Sequence, residues 1–225
     1  GDVYKRQSRN RNPKQTAHAD EATNQSPDSL PSLLAELDAL VGLPEVKDNV
    51  RTLANLVRVQ KLRESHGLKN SSRALHLVFL GNPGTGKTTV ARLIAKIYRE
   101  LGVSESGHLV EVDRSRLVAG YVGQTATTVQ QVVAEAKGGV LFIDEAYALS
   151  RSKDEQDYGR EAIDTLLKLM EDHRDSLIVI VAGYPQLMTE FLNSNPGLQS
   201  RFNTFITFSD YDSNDMMQIL VKMCQ

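Results

Sequence analysis

Leu75-His76-Leu77-Val78-Phe79-Leu80-Gly81-Asn82-Pro83-Gly84-Thr85-Gly86-Lys87-Thr88 is the stretch whose reading decides the fold. Its first six residues are mostly apolar and read as a buried strand. Gly81 to Thr88 match G-x-x-x-x-G-K-[ST] in full, and Thr88–Leu101 follow with helical spacing until Gly102. Gly84 and Gly86 let the backbone take positive φ and approach an anion closely. The loop's N–H groups and the positive end of the helix then cradle phosphates. Lys87 supplies a point charge for β- and γ-phosphates, and the Thr88 hydroxyl is placed to ligate Mg²⁺. The competing reading, a Gly-rich structural turn with a chance lysine, does not explain the strand–loop–helix context.

Downstream, Val140-Leu141-Phe142-Ile143-Asp144-Glu145 is an apolar run closed by two carboxylates. The run buries in a sheet, and the carboxylates emerge at the strand's C-terminal end, where open α/β sheets bind ligands. Asp144 would hold Mg²⁺ through its water shell, and Glu145 would orient and deprotonate the water attacking a γ-phosphate. Alone the run is weak, because acidic residues often end strands. Behind a phosphate loop it favours a hydrolase over a small-molecule kinase. No Asn-Lys-x-Asp guanine-reading motif occurs, which disfavours a GTPase.

Strands and helices alternate around these motifs. His108–Val112, Leu177–Val181 and Phe205–Phe208 read as strands, and Thr127–Lys137 and Arg160–Asp172 as helices. Near-continuous apolar strands between helices imply a mostly parallel sheet covered on both faces. Upstream, Leu33, Leu34, Leu37 and Leu40 recur at helical spacing, and Gly42-Leu43-Pro44 breaks that helix. Val46, Val50, Leu53, Val57 and Leu62 line one face of the next, with Gly67 as its stop. Ser213 would N-cap a last helix carrying Met216, Met217, Leu220 and Met223.

Composition bounds the rest. The 225 residues carry 26 Lys+Arg against 28 Asp+Glu, a formal net charge of -2, which disfavours a strongly basic nucleic-acid binder. The single cysteine, Cys224, forms no internal disulfide, so the chain reads as cytoplasmic. No apolar run approaches the roughly 20 residues that span a membrane. Residues 1–29 hold few large apolar side chains and read as disordered; a basic arm for nucleic acid or an acidic membrane is the alternative. Both termini read as cut ends of a longer protein.

With these residues in place, the chain resembles the AAA+ ATPases. It is most similar to the CbxX/CfqX-type branch, which includes red-type Rubisco activase, the stage V type K sporulation protein and the ATPase component of type VII secretion. The resemblance rests on an ordered set: Val41-Gly42-Leu43-Pro44-Glu45-Val46-Lys47, the phosphate loop through Thr89, Tyr121-Val122-Gly123-Gln124-Thr125, Gly138 to Tyr147, Ala182-Gly183-Tyr184-Pro185, and Asn193 to Phe202. It implies a P-loop α/β core with a five-stranded parallel sheet of order 5-1-4-3-2, flanked by helices. It divides the chain into a disordered segment 1–29, a helical linker 30–70, an ATPase core 71–211 and the start of a truncated helical lid 212–225.

The resemblance also assigns roles. Val41 and Gly42 would contact adenine, the alternative being a simple helix–helix turn; Asn82, Pro83, Gly84, Thr85, Gly86, Lys87, Thr88 and Thr89 would bind nucleotide. Arg201 would reach a neighbouring subunit's γ-phosphate as an arginine finger, the alternative being a surface salt bridge. Tyr121-Val122-Gly123 would form an aromatic pore loop gripping an extended polypeptide, the alternative being a buried tyrosine. Residues 150–158 would form a second pore loop or a solvated connector. Many AAA+ proteins place a sensor Asn at the end of the fourth strand, where this chain has Ala182-Gly183-Tyr184. The implied activity is Mg²⁺-dependent ATP hydrolysis by a hexameric ring that remodels or threads a protein client, with no nucleic acid or membrane partner. A DNA motor of the same superfamily and a nucleotide-bound scaffold without turnover are the alternatives.

Overall fold

Strand residues in a sheet covered on both sides point alternately into two apolar layers, and here the two layers are complete. The computed structural model describes residues 28–68, 75–119, 123–151 and 158–224. Strands β1 (Leu77–Leu80), β2 (Leu109–Val112), β3 (Val140–Ile143), β4 (Ile178–Gly183) and β5 (Phe205–Thr207) form one sheet in the order β2-β3-β4-β1-β5. Every pairing is parallel. This is the α/β sheet and strand order expected above, read from its other edge.

The described helices are α1 (Leu30–Asp38), α2 (Pro44–Ser65), α3 (Lys87–Glu100), α4 (Arg114–Leu117), α5 (Thr125–Ala136), α6 (Tyr158–Asp172), α7 (Pro185–Asn193), α8 (Pro196–Arg201) and α9 (Ser213–Met223). Leu77, Phe79, Phe142, Ile180 and Ile206 share one layer with Leu37 of α1, Val50 of α2 and Ile94 of α3. Val78, Leu141, Ile143, Val179 and Val181 share the other with Val133 of α5, Leu166 of α6 and Phe191 of α7. Phe79 meets Phe142 edge-on at 6.3 Å and Phe208 at 4.9 Å, tying the centre of the sheet to both sides of the first layer. Such pairs add about 0.5–1.5 kcal/mol beyond the area they bury.

Several local expectations shift. The α2 stripe ends early: Val46, Val50 and Val57 are buried, but Leu62 is 58% exposed, and from Arg58 onward no residue of α2 is buried. The apolar periodicity there outlasts the layer it packs on. Asp212, not Ser213, caps α9: its carboxylate accepts from Asp215 N–H at 2.8 Å, and the Asp215 side chain accepts from Asp212 N–H at 3.3 Å. A carboxylate also suits the positive helix end better than a hydroxyl. The short α4, α7 and α8, and a 3-10 turn at Ala146–Ser150, carry too little periodicity to be read from sequence. The expected disordered segment lies, apart from Asp28 and Ser29, outside the described residues. No helix among the described residues is long and apolar enough to cross a membrane.

His76, just before β1, is only 5% exposed. Its Nδ1 accepts the Val179 N–H at 3.0 Å, and its ring lies 5.8 Å from that of Phe202. Burial, helped by the nearby Arg201 charge, lowers its pKa from 6.5 to about 4. The folded state therefore keeps His76 neutral where the unfolded chain would already take up a proton. Stability should fall as pH drops from 6.5 toward 4 and level off below, by at most about 3 kcal/mol at 1.36 kcal/mol per pH unit. Urea melts at pH 7 and pH 4.5 should show this slope. His76→Asn, which keeps an acceptor for Val179 but does not titrate there, should flatten it.

Candidate functional site

Where β1 ends, the chain must thread between its two neighbours. Gly81 N–H donates to Gly183 O of β4 at 3.1 Å, and Phe208 N–H, just past β5, donates to Leu80 O at 2.7 Å. A Cβ on Gly81 would sit 2.7 Å from Phe208 O, so only glycine passes. Gly84 and Gly86 take φ of 77° and 88°, as the motif requires. The Thr85 hydroxyl donates to Asn82 O at 2.8 Å and closes the loop on itself. Helix α3 opens directly at Lys87, so its first N–H groups, which have no partner within the helix, belong to the loop.

Lys87 is 8% exposed, and its Nζ donates to Gly81 O at 2.9 Å and Asn82 O at 2.7 Å. Burial lowers its pKa, while the charges of Asp144 and Glu145 oppose that shift. The sheet order explains how those carboxylates reach it. Only β4 separates β1 from β3, so the loop and the acidic strand end stand about 10 Å apart, two strand spacings. Asp144 N–H donates to Val112 O at 2.9 Å, which prolongs the β2–β3 ladder, and Asp144 Oδ1 accepts from Glu145 N–H at 3.0 Å. Glu145 is held at φ 48°, a left-handed conformation that costs a non-glycine residue about 1–3 kcal/mol. That turn leaves the Glu145 side chain exposed at the C-terminal edge of the sheet.

A third wall comes from residues far apart in sequence. Gly42 and Leu43 are both left-handed, at φ 61° and 57°. Leu43 Cδ1 lies 3.6 Å from where a Cβ on Gly86 would be, so the Val41-Gly42-Leu43 turn does stand beside the loop. Asp215 at the start of α9 would meet a Cβ on Gly42 at 3.0 Å. Tyr211 Oη donates to Thr85 O at 3.4 Å, and Asn82 Nδ2 lies 2.9 Å from both carboxylate oxygens of Asp210. Burial, then the Asp215 charge, raises the Tyr211 phenol. Sequence reading missed Asp210, Tyr211 and Asp215, which follow β5 with no recognisable motif.

The donor set fits a phosphate-bound divalent cation. Thr88 and Asp144 offer a hydroxyl and a carboxylate, and among the described residues no three His, Cys, Asp or Glu side chains gather into a metal nest. A cation here would lean on phosphate oxygens and water, which is how Mg²⁺ is usually held. Glu111 of β2 is also near: its carboxylate accepts from Thr88 Oγ1 at 3.5 Å and from Arg92 Nη2 at 3.1 Å.

Arg201 is not part of this constellation. It ends α8 ahead of β5, at the opposite edge of the sheet, and its Nη2 donates to Glu171 at 3.1 Å. Four residues of β1 put about 13 Å or more between that edge and the phosphate loop. Tyr121 and Val122 lie outside the described residues, as do 152–157 of the second expected pore loop. Gly123 is described, exposed, at φ 78°. The segment's base is pinned where Ala119 N–H donates to the fully buried Thr125 hydroxyl at 3.2 Å.

Residues 77–210 match the family described as ATPase family associated with various cellular activities (AAA). The chain is 49% identical to stage V sporulation protein K of Bacillus subtilis over 188 residues, 84% of this chain and 58% of that protein. It is 49% identical to protein CbbX of Cereibacter sphaeroides over 192 residues, 85% of this chain and 62% of that protein. To the chloroplastic ribulose bisphosphate carboxylase/oxygenase activase of Cyanidioschyzon merolae it is 48% identical over 194 residues, 86% of this chain and 66% of that protein. The chain thus spans about three fifths of the length of these relatives.

The glycine geometry yields a test. Gly86→Ala adds strain at φ 88° and brings a methyl group to 3.1 Å from Tyr211 Oη, so ATP affinity should fall by about tenfold or more. Gly67→Ala bears similar strain at φ 70° in open space and should leave affinity unchanged. Titration with a fluorescent ATP analogue compares the two.

Proposed function

The chain belongs to the ATPase family associated with various cellular activities, and we propose that it hydrolyses ATP with Mg²⁺ inside a hexameric ring that remodels or threads a protein client. The observation that carries this reading is the meeting of Lys87, Asp144 and Glu145 across the end of β4. Thr88 and Asp144 would hold Mg²⁺, which when bound neutralises and bridges phosphate oxygens. The loop N–H groups and Lys87 orient the β- and γ-phosphates. Glu145 accepts the proton of the attacking water as the bond between γ-phosphorus and the ADP oxygen breaks. Val41, Gly42 and Leu43 offer an apolar, half-to-fully buried turn for adenine beside the loop, and the Tyr211 hydroxyl also lies against Gly86.

Arg201 completes the site of a neighbouring copy. Its place at the far edge of the sheet supports a role in trans, and its ion pair with Glu171 would be exchanged for phosphate oxygens. Tyr121-Val122-Gly123 would grip an extended client chain. A relative named as an activase of ribulose bisphosphate carboxylase/oxygenase supports a folded protein as the class of client. The net charge of -2 favours such a client over nucleic acid, and the single cysteine favours a cytoplasmic setting.

Lys87→Ala should abolish most ATP affinity, whereas Glu145→Gln should keep ATP bound and cut turnover by about 100-fold or more. Binding titrations beside steady-state phosphate release separate the two, and an equal loss of binding in both would refute the division of labour. Arg201→Ala should bind ATP normally but turn it over about 1000-fold more slowly. Mixing it with Glu145→Gln should restore measurable activity in mixed assemblies, because some interfaces then pair an intact arginine with an intact base. Mixed assemblies without recovery would count against a shared site.

A further inference from the structure

Among the described residues, the hydroxyl of Thr88 has one hydrogen-bond acceptor, and it is a residue that no motif marks. Thr88 Oγ1 donates to Glu111 Oε1 at 3.5 Å, and Arg92 Nη2 donates to the other oxygen of that carboxylate, Oε2, at 3.1 Å. Two elements bring the three side chains together. Thr88 and Arg92 are four residues apart on α3 and so share one face of the helix. Glu111 lies two residues beyond Leu109 on β2, so both leave the same side of the strand, and Leu109 packs into the layer that α3 covers. Glu111 stands opposite Phe142 of β3, two residues short of the level at which β3 delivers Asp144. The start of α3 is thus met by one carboxylate from β2 and another from β3.

A threonine hydroxyl carries one proton and two lone pairs. To ligate a cation it turns a lone pair to the metal, and its proton must then point at an acceptor elsewhere. Glu111 is that acceptor here. As a carboxylate it draws a hydroxyl proton about twice as strongly as a neutral oxygen does. The Arg92 guanidinium holds the carboxylate in place although Glu111 is exposed. At 3.5 Å the bond is longer than the roughly 2.5–3.0 Å of a fully formed O–H···O bond, so it can shorten once a cation draws on the hydroxyl oxygen.

We propose that Glu111 is a positioning residue for the metal: braced by Arg92, it accepts the Thr88 O–H and so turns the hydroxyl's lone pairs toward Mg²⁺. The role rests on the reading of Thr88 as a metal ligand. It also divides the work of two carboxylates, Asp144 serving the water shell of the cation and Glu111 its protein ligand.

The test reads binding, with Mg²⁺ as the titrant. A fluorescent, non-hydrolysable ATP analogue is bound to the purified protein in EDTA and then under rising Mg²⁺. In Glu111→Ala, affinity in EDTA should match that of the parent, because Lys87 and the loop N–H groups still meet the phosphates. The thermal midpoint should stay close to the parent's, since an exposed ion pair contributes little to stability. The Mg²⁺ concentration at half of the metal-linked gain in affinity should rise about 10-fold, as when a metal ligand loses its outer partner. Glu111→Gln, which keeps the bulk and an acceptor oxygen but not the charge, should raise it about threefold. In a Thr88→Ala background, where no hydroxyl remains to be turned, Glu111→Ala should change the Mg²⁺ requirement by less than about twofold. An unmoved requirement in Glu111→Ala, the same rise in the Thr88→Ala background, or an equal loss of affinity with and without Mg²⁺ overturns the proposal. Thr88→Ala alone separates the two readings. If it leaves the Mg²⁺ requirement unmoved, the ligand reading falls and this role with it; if it raises the requirement while Glu111→Ala does not, Glu111 alone is removed.

Discussion

The parallel register of β1 on β4, from Leu77 opposite Ile180 to Leu80 opposite Gly183, is the constraint on which both core and site depend. A slip of one residue would send Leu77 and Phe79 into the layer that now holds Val78, and would swap the faces of a whole strand. It would also carry Gly81 off the Gly183 carbonyl and place a side chain where Phe208 allows none. The same contacts that bury the sheet therefore set the height at which the phosphate loop leaves it.

That register combines with strand order to make a site from two halves. Neither the loop after β1 nor the carboxylates after β3 carry all the charged groups of the site alone. They stand side by side because only β4 lies between them, and β4 ends in Gly183, whose lack of a side chain makes room for the Tyr147 ring. The conformational cost of Glu145 at φ 48° belongs to the same arrangement, since the backbone must leave β3 abruptly to keep the carboxylate at the edge. Segments from both ends of the chain then close over the loop. Lys47 and Lys222 donate to carbonyls at the end of α1, Leu40 O at 2.6 Å and Ala39 O at 2.7 Å, which keeps the Gly42-Leu43 turn and α9 in place together.

What could be read from sequence was what is local. The phosphate loop and the run from Val140 to Glu145 are contiguous, and each carries its chemistry in adjacent residues. Strand order followed from the family resemblance, and the structure agrees with it. The misses have one physical origin. Asp210 and Tyr211 touch the loop, and Asp215 the Gly42 turn, only because β5 lies against β1, and nothing in their own neighbourhood announces it. Leu62 keeps the apolar period of α2 although the sheet no longer lies beneath it. Ser213 and Asp212 are both good caps, and the Asp215 side chain, reaching back to Asp212 N–H, selects the latter. Tyr147 belonged to a recognised segment, but its contact with Gly183 needed the third dimension.

The separation of Arg201 from the phosphate loop, along the length of the strands, has a consequence for symmetry. In a ring of copies related by one rotation axis the contact is heterologous: the edge that carries Arg201 on one copy would meet the edge that carries the phosphate loop on the next. On the proposed reading of Arg201 as acting in trans, a row of copies joined head to tail leaves one unsatisfied edge at either end. The number of complete sites in an open chain of copies is thus one fewer than the number of copies. Closure by rotation removes the deficit, and a contact that failed to close would grow into a filament instead.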